Sequence, residues 1–302
     1  MESNNNQKTL EFSNVKPEII EFRDLTYSQP SVRFSQRPLN LKLDILKPVQ
    51  DEKCPIVLYI PGGGFLSVHK EQALQQRLAI AEAGFAVASL EYRSIPNGKF
   101  PEPLIDIKTA IRFLNTNSEK FGLERENIAV MGVSAGGYLA AMVGTTNNYK
   151  EFEMGEYLDE SSMVKAVVDL YGLSDLRQIA KDFSEEVQHE HESENSAEYL
   201  FLNGIRPFDR ISENDKSKIF KNADPSIYLS EHTPPFLFMH GDKDELVSPS
   251  QTSYLYEILV KNDISADRYL VKNAGHGGNA WMQPEIIEVI INYLNTHLKE
   301  SY

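Results

Sequence analysis

The chain has 302 residues, with 44 Asp and Glu against 30 Lys and Arg, for a formal charge of −14. Its 41% hydrophobic and 25% charged residues are globular values, which excludes a disordered, collagen-like or disulfide-rich chain. The negative balance speaks against binding nucleic acid through phosphates, and against docking on an anionic membrane; both need clustered Lys and Arg.

Cys54 is the only cysteine, so no intrachain disulfide forms, which suits a reducing compartment. It precedes an apolar run, where a buried structural thiol is expected rather than a reactive one. Met1–Gln7 is polar without an apolar core, so no secretory leader is expected. No run approaches the roughly 20 apolar residues of a membrane span. The expectation is a cytoplasmic protein.

In chain order, two strands come first, Ile19–Leu25 and Leu39–Leu46. Only a loop separates them, so they should pair antiparallel at one edge. The apolar run Ile56–Ile60 then ends in Pro61-Gly62-Gly63-Gly64-Phe65. No Gly-Lys-Ser/Thr follows, so this is not a phosphate loop, and Gly-x-Gly-x-x-Gly is not matched. Three glycines after a buried strand instead allow backbone N–H groups, those of Gly63 and Gly64, to approach a reacting carbonyl. One such donor is worth about 3 kcal/mol in a transition state. The bland alternative is a flexible loop after a strand.

A helix is expected over Glu71–Ala83, a strand over Ala86–Tyr92 and a helix over Leu104–Glu119, with Ile105, Ala110, Ile111 and Leu114 as its stripe. The strand Ile128–Val133 runs into Gly132-Val133-Ser134-Ala135-Gly136, which is Gly-x-Ser-x-Gly. A small-residue helix, Ala135–Gly144, follows. So tight a reversal leaves no room for side chains at Gly132 and Gly136. It strains the serine backbone, lifts its hydroxyl above the sheet and aims the Ala135 N–H at an incoming oxyanion. The bland alternative is an ordinary glycine-rich turn with an incidental serine.

After the strand Val164–Leu170 the alternation breaks. Leu173–Asn222 lacks an apolar strand and mixes acidic with aromatic residues, which reads as an insertion over the sheet. The strand Phe236–His240 then enters an acidic turn in which Asp242, Asp244 and Glu245 are all candidates for an orienting carboxylate. Helix capping is the competing role, above all for Asp242. The last elements are a helix over Gln251–Lys261, a strand over Arg268–Val271, a loop Asn273-Ala274-Gly275-His276-Gly277-Gly278 and a helix over Pro284–Lys299. Of the seven histidines, His276 alone sits in a glycine-flanked loop able to carry an exposed imidazole. His240 reads as a packed strand end, and His297 as surface. His189 and His191 flank Glu190 on what reads as a solvated face, with no third ligand at metal spacing. The order Ser134, Asp244, His276 matches one of the known serine-triad orders.

With these residues placed, the chain resembles α/β-hydrolase-fold serine esterases. It is similar to the hormone-sensitive-lipase-like and small bacterial carboxylesterase families, which include deacetylases of acetylated sugars. The resemblance covers nearly everything after about Leu39. It is carried by the Gly-Gly-Gly loop, Glu91-Tyr92-Arg93, Phe100-Pro101-x-Pro103 with Asp106, the serine elbow, His240-Gly-Asp-x-Asp244 and Gly275-His276-Gly. It implies a single α/β domain over residues 1–302. The sheet would be mostly parallel and eight-stranded, with helices on both faces and residues 173–222 as a cap. It also implies Ser134 as nucleophile, Asp244 as acid, His276 as base, and an oxyanion hole from Gly63, Gly64 and Ala135. The choice of the second aspartate comes from the resemblance alone. One departure stands out. Pro61 occupies the place of a histidine that in the family orients the glycine loop, which counts against the lipase-like branch and requires another support for the loop.

The expected activity is hydrolysis of short, acetyl-type acyl esters through an acyl-enzyme, with a small-molecule ester as partner and neither metal nor cofactor. An amide or peptide hydrolase with the same triad is the first rival. A non-enzymatic binding protein of the same fold is the second, and the presence of both Ser134 and His276 argues against it. Phe183, Tyr199, Phe201, Phe208, Phe220 and Trp281 are candidates either to line an apolar pocket or to pack the insertion onto the sheet. Residues 151–204 hold 14 acids and 3 bases, a net of −11, so most of the acidity is local. A solvated outer face explains it. If that face borders the entrance, anionic esters should turn over poorly, with relief by salt.

Overall fold

The computed structural model describes residues 8–13, 16–32, 35, 37–205 and 213–299. All eight expected strands are present: β1 (Ile19–Ser28), β2 (Leu41–Pro48), β3 (Cys54–Ile60), β4 (Ala86–Leu90), β5 (Leu123–Val133), β6 (Ala166–Leu170), β7 (Phe236–Gly241) and β8 (Ala266–Val271). They form one sheet in the order β1-β2-β4-β3-β5-β6-β7-β8. β1 and β2 pair antiparallel, as does β2 with β4, and every later pairing is parallel.

The inner strands are apolar on both faces because helices cover both. Between them lie α1 (Leu74–Glu82), α2 (Glu102–Thr116), α3 (Ser118–Phe121), α4 (Ala135–Thr145), α8 (Ser250–Lys261) and α9 (Pro284–Leu298). One core layer joins Ile56, Leu58 and Val130 to α2, α4 and α8 through Ile107, Ile111, Leu139, Leu255 and Leu259. The other joins Val57, Met131 and Val168 to α1 and α9 through Ile80, Ile290 and Leu294.

Helix α2 is buried beyond its apolar stripe. Lys108 and Arg112 are 0% exposed. They are satisfied by one loop: Lys108 Nζ donates to Glu153 at 2.8 Å and to the Thr146 carbonyl at 3.0 Å, and Arg112 donates to Glu153 at 2.7 Å. The charges thereby tie residues 146–162 to the helix, as buried charges must be paired to be tolerated.

Between β6 and β7 the described residues contain no strand. They hold α5 (Glu185–Glu192), α6 (Ala197–Asn203) and α7 (Glu213–Asn222). Ser184 and Ser196 cap the first two by accepting the N–H of Val187 and Tyr199. The acidic face of α5 has no buried residue. Glu198 of α6 is the exception to the solvated reading: it is buried and lies 2.6 Å from His191 Nδ1. Of the aromatic candidates, Phe201 and Trp281 are each 1% exposed and pack in the core, Phe220 packs against its margin, and Phe208 lies outside the described residues. Cys54 is fully buried at the start of β3, and burial pushes its thiol pKa up.

Candidate active site

The site gathers at the carboxyl ends of the parallel strands, beyond β3, β5, β7 and β8, where the backbone of open α/β sheets leaves room for chemistry. Ser134 connects β5 to α4 with φ 54° and ψ −123°. A non-glycine residue there costs roughly 1–3 kcal/mol and persists only where its surroundings force it. They do so by close approach. A Cβ on Gly132 would lie 1.9 Å from the Gly136 carbonyl oxygen, and one on Gly136 would lie 2.1 Å from that of Ile60. The Ser134 N–H is tied to the Leu170 carbonyl on β6 at 3.0 Å, and its carbonyl accepts the Tyr138 N–H at 3.1 Å.

His276 stands on the loop after β8. Its Nε2 is 2.7 Å from Ser134 Oγ, and its Nδ1 is 2.7 Å from Asp244 Oδ2. The loop is set by its neighbours: the Ala274 carbonyl accepts the Lys243 N–H at 2.9 Å, and Asp242 accepts the Asn273 N–H at 2.7 Å. Asp242 therefore braces the histidine loop rather than capping α8. Glu245 points to solvent. Of the three carboxylates, Asp244 alone meets His276.

Asp244 is buried and accepts four donors. Besides His276, these are His240 Nε2 at 3.1 Å and the N–H groups of Leu246 and Val247 at 3.0 and 2.9 Å. Burial raises its pKa, but the hydrogen bonds from His240, His276 and Val247 outweigh that and hold it well below the usual carboxylate range. His240 is thus more than a packed strand end. The signal was its i, i+4 spacing from Asp244 across a glycine turn. The ring of His276 also meets Tyr171 edge-on at 4.9 Å, and Tyr171 packs on Trp281, whose indole N–H donates to the Gly275 carbonyl at 3.1 Å. The imidazole is held from behind as well as through its nitrogens.

The glycine loop after β3 folds against the elbow. Gly63 has φ 142°, and a Cβ there would lie 2.1 Å from the Ser67 carbonyl oxygen, so only glycine fits. The Gly63 carbonyl accepts the N–H of Leu66 and Ser67. Among the described residues no acceptor takes the N–H of Gly63, Gly64 or Ala135. The support expected in place of the missing histidine comes from two side chains. Gln72 Oε1 accepts the Gly62 N–H at 3.1 Å, and the buried Tyr92 hydroxyl donates to the Pro61 carbonyl at 2.8 Å. Tyr92 is fixed in turn by its neighbour Arg93, whose Nη2 and backbone N–H reach Asp106 at 2.8 and 2.9 Å.

Among the described residues no group of three His, Cys, Asp or Glu side chains is arranged to hold a metal ion. No helix among them is long and apolar enough to cross a membrane.

The sheet order, the strained serine at a strand–helix turn and the loops that meet it define an α/β-hydrolase fold. The chain belongs to the BD-FAE family, whose model matches residues 43–259. Esterase LipC of Mycobacterium tuberculosis is 30% identical over 239 residues, 76% of this chain and 55% of that protein. The chain spans about half the length of the curated relatives it matches. Among solved structures, a truncated form of a carbohydrate esterase from gut microbiota has a TM-score of 0.79 at 21% identity, covering 95% of this chain and 99% of its own. A bifunctional GH43-CE protein of Bacteroides eggerthii has a TM-score of 0.76 at 26% identity, covering 92% of this chain and 38% of its own.

Proposed function

We propose that this protein is a serine carboxylesterase that hydrolyses short acyl esters through an acyl-enzyme. The observation that carries the reading is the unbroken line Ser134 Oγ, His276, Asp244, with 2.7 Å at each step. The esterase names of its relatives support the reaction class.

In this mechanism His276 Nε2 takes the Ser134 proton as Oγ attacks the ester carbonyl carbon. Asp244 holds the Nδ1 proton and stabilises the imidazolium that forms. The N–H groups of Gly63, Gly64 and Ala135 receive the oxyanion. They are preorganised, so they reorganise little as charge develops. The tetrahedral species collapses, His276 returns the proton to the alcohol, and the alcohol leaves. Water then attacks the acyl-enzyme with His276 again as base, which frees the acid and restores Ser134.

The preference for short acyl groups is supported by packing. Phe201 and Trp281 are buried in the core, so neither ring is available to line a long apolar channel. We read residues 173–222 as a cap over the site, because α6 sends Phe201 against Phe65 of the glycine loop. The lone buried thiol, Cys54, suits a reducing compartment, and we place the enzyme in the cytoplasm.

The test is nitrophenol release from acetyl, butyryl and octanoyl esters by the wild type and by Ser134→Ala. Release should fall with acyl length, and the variant should lose on the order of 10⁴-fold or more in kcat. Undiminished turnover by Ser134→Ala would sink the assignment.

A further inference from the structure

Three elements distant in sequence meet at one aromatic triangle beneath the glycine loop. Phe65 follows Gly64 in that loop, Tyr138 lies in the first turn of α4 just after Ser134, and Phe201 belongs to α6. The rings of Phe65 and Phe201 are stacked at 4.0 Å and 15°. Tyr138 meets both edge-on, at 5.7 and 6.0 Å. All three side chains are buried.

Phe65 has φ 63°, a left-handed conformation that a bulky residue avoids unless its surroundings impose it. Its backbone is held at one point, where its carbonyl accepts the Ile95 N–H at 2.9 Å. The rest of the constraint falls on its ring. Behind that ring, Phe201 is itself fixed, since its carbonyl accepts the Phe100 N–H at 2.8 Å. Tyr138 is tied to the far end of the same segment by a hydroxyl that donates to the Ala223 carbonyl at 2.7 Å. Within the segment between β6 and β7, Ala223 is thus hydrogen-bonded to the helix that carries the nucleophile, Phe201 is hydrogen-bonded to Phe100 ahead of α2, and the Phe201 ring stacks on Phe65 after the glycine loop.

We propose that Phe201 is a positioning residue for the glycine loop: its ring holds Phe65 in the left-handed conformation that aims the Gly63 and Gly64 N–H groups at the oxyanion. The inference rests on the esterase reading above. It assigns to the segment between β6 and β7 a part in the chemical step and not only in covering the site. Without the ring, Phe65 relaxes toward negative φ and the adjoining peptide groups turn with it. The donors then miss an oxygen whose position is set by Ser134.

The test separates aim from folding. Wild type, Phe201→Leu and a remote core control, Phe236→Leu on β7, are compared for kcat and KM on 4-nitrophenyl acetate and for labelling of Ser134 by a fluorophosphonate. Label amplitude counts assembled sites, whereas the rate constant reports how well the developing oxyanion is held. Phe201→Leu should label to full amplitude with kcat and the labelling rate constant lowered about 10- to 100-fold, the scale of a misplaced catalytic group. KM should stay within about threefold, because the interaction lost is made in the transition state. Phe236→Leu should lower the thermal midpoint and leave kcat unchanged. Phe65→Leu should reproduce the Phe201→Leu loss, and the double variant should lose little more than either alone, since both act through one contact. Should Phe201→Leu not fold, Phe201→Met gives the same comparison. Unchanged rate constants in the folded variant, a fall in amplitude alone, or additive losses in the double variant would overturn the proposal. Wild-type protein that takes no label and cleaves no ester overturns both readings together. Wild-type activity with an unaltered Phe201 variant overturns this one alone.

Discussion

His240 and His276 share one carboxylate oxygen: Asp244 Oδ2 lies 3.1 Å from Nε2 of the first and 2.7 Å from Nδ1 of the second. His240 Nε2 is also 3.1 Å from the Val247 carbonyl, so this nitrogen faces two acceptors and carries the proton. Its Nδ1 lies 3.1 Å from the Thr252 hydroxyl. His240 is therefore a second donor to the Asp244 oxygen that meets His276. His240→Ala should lower kcat about tenfold, the lower end for losing a partner that orients an active-site ligand. With one donor gone the Asp244 carboxyl titrates at higher pH, so the acid end of the urea-midpoint-against-pH profile should move upward. A profile identical to wild type would contradict this.

The same carboxylate links stability to acid. Its folded pKa is depressed, so the unfolded chain, titrating near the usual value of about 3.9, binds the extra proton. The stabilisation is present above that value and is lost as pH falls through the folded one. Urea midpoints should start to drop near pH 5 and keep falling below about pH 3, toward the depressed folded value. The drop should be shallower in Asp244→Asn.

Asp169, opposite Gly132 in the β5–β6 pairing, has the reverse sign. Burial pushes its pKa up to about 8, against one hydrogen bond from the Gly172 N–H at 2.8 Å. Between about pH 4 and 8 the folded state binds more protons than the unfolded, so this group costs stability as pH rises. Asp169→Asn keeps the acceptor and cannot ionise. It should be more stabilising at pH 9 than at pH 5, by roughly 4 kcal/mol if the full shift is realised, as read by chemical denaturation. Equal effects at both values would refute the assignment.

Tyr92→Phe tests the support of the glycine loop. It leaves the buried Pro61 carbonyl without its donor, which should cost about 1–3 kcal/mol of stability. Because the loop carries the proposed oxyanion donors, kcat should fall with KM little changed. Gln72→Ala, which frees the Gly62 N–H, should act in the same direction.

Ser134, His276 and the eight strands were legible because each is written locally. A strand buried on both faces is continuous apolar sequence, and a serine elbow needs glycines two residues either side. The start of β5 was not, since Glu124, Arg125 and Glu126 are polar and the pairing with β3 shifts register beside Cys54. Nor were α5 and α6, whose caps Ser184 and Ser196 were visible: α5 buries no residue, and α6 has seven residues, too few for a repeating stripe around its buried Phe201 and Leu202. The choice of Asp244 over Asp242 needed family resemblance, because both stand in one turn and differ only in which loop they reach. The roles of Gln72 and Tyr92 depend on contacts that no local pattern encodes.

Ser134 follows the central strand β5, whereas its partner His276 lies 142 residues further on, after β8. A chain growing from its N-terminus makes the proposed nucleophile early and the proposed base late. On the mechanism proposed above, Ser134 therefore gains its base only once β8 has paired with β7 and the sheet is whole.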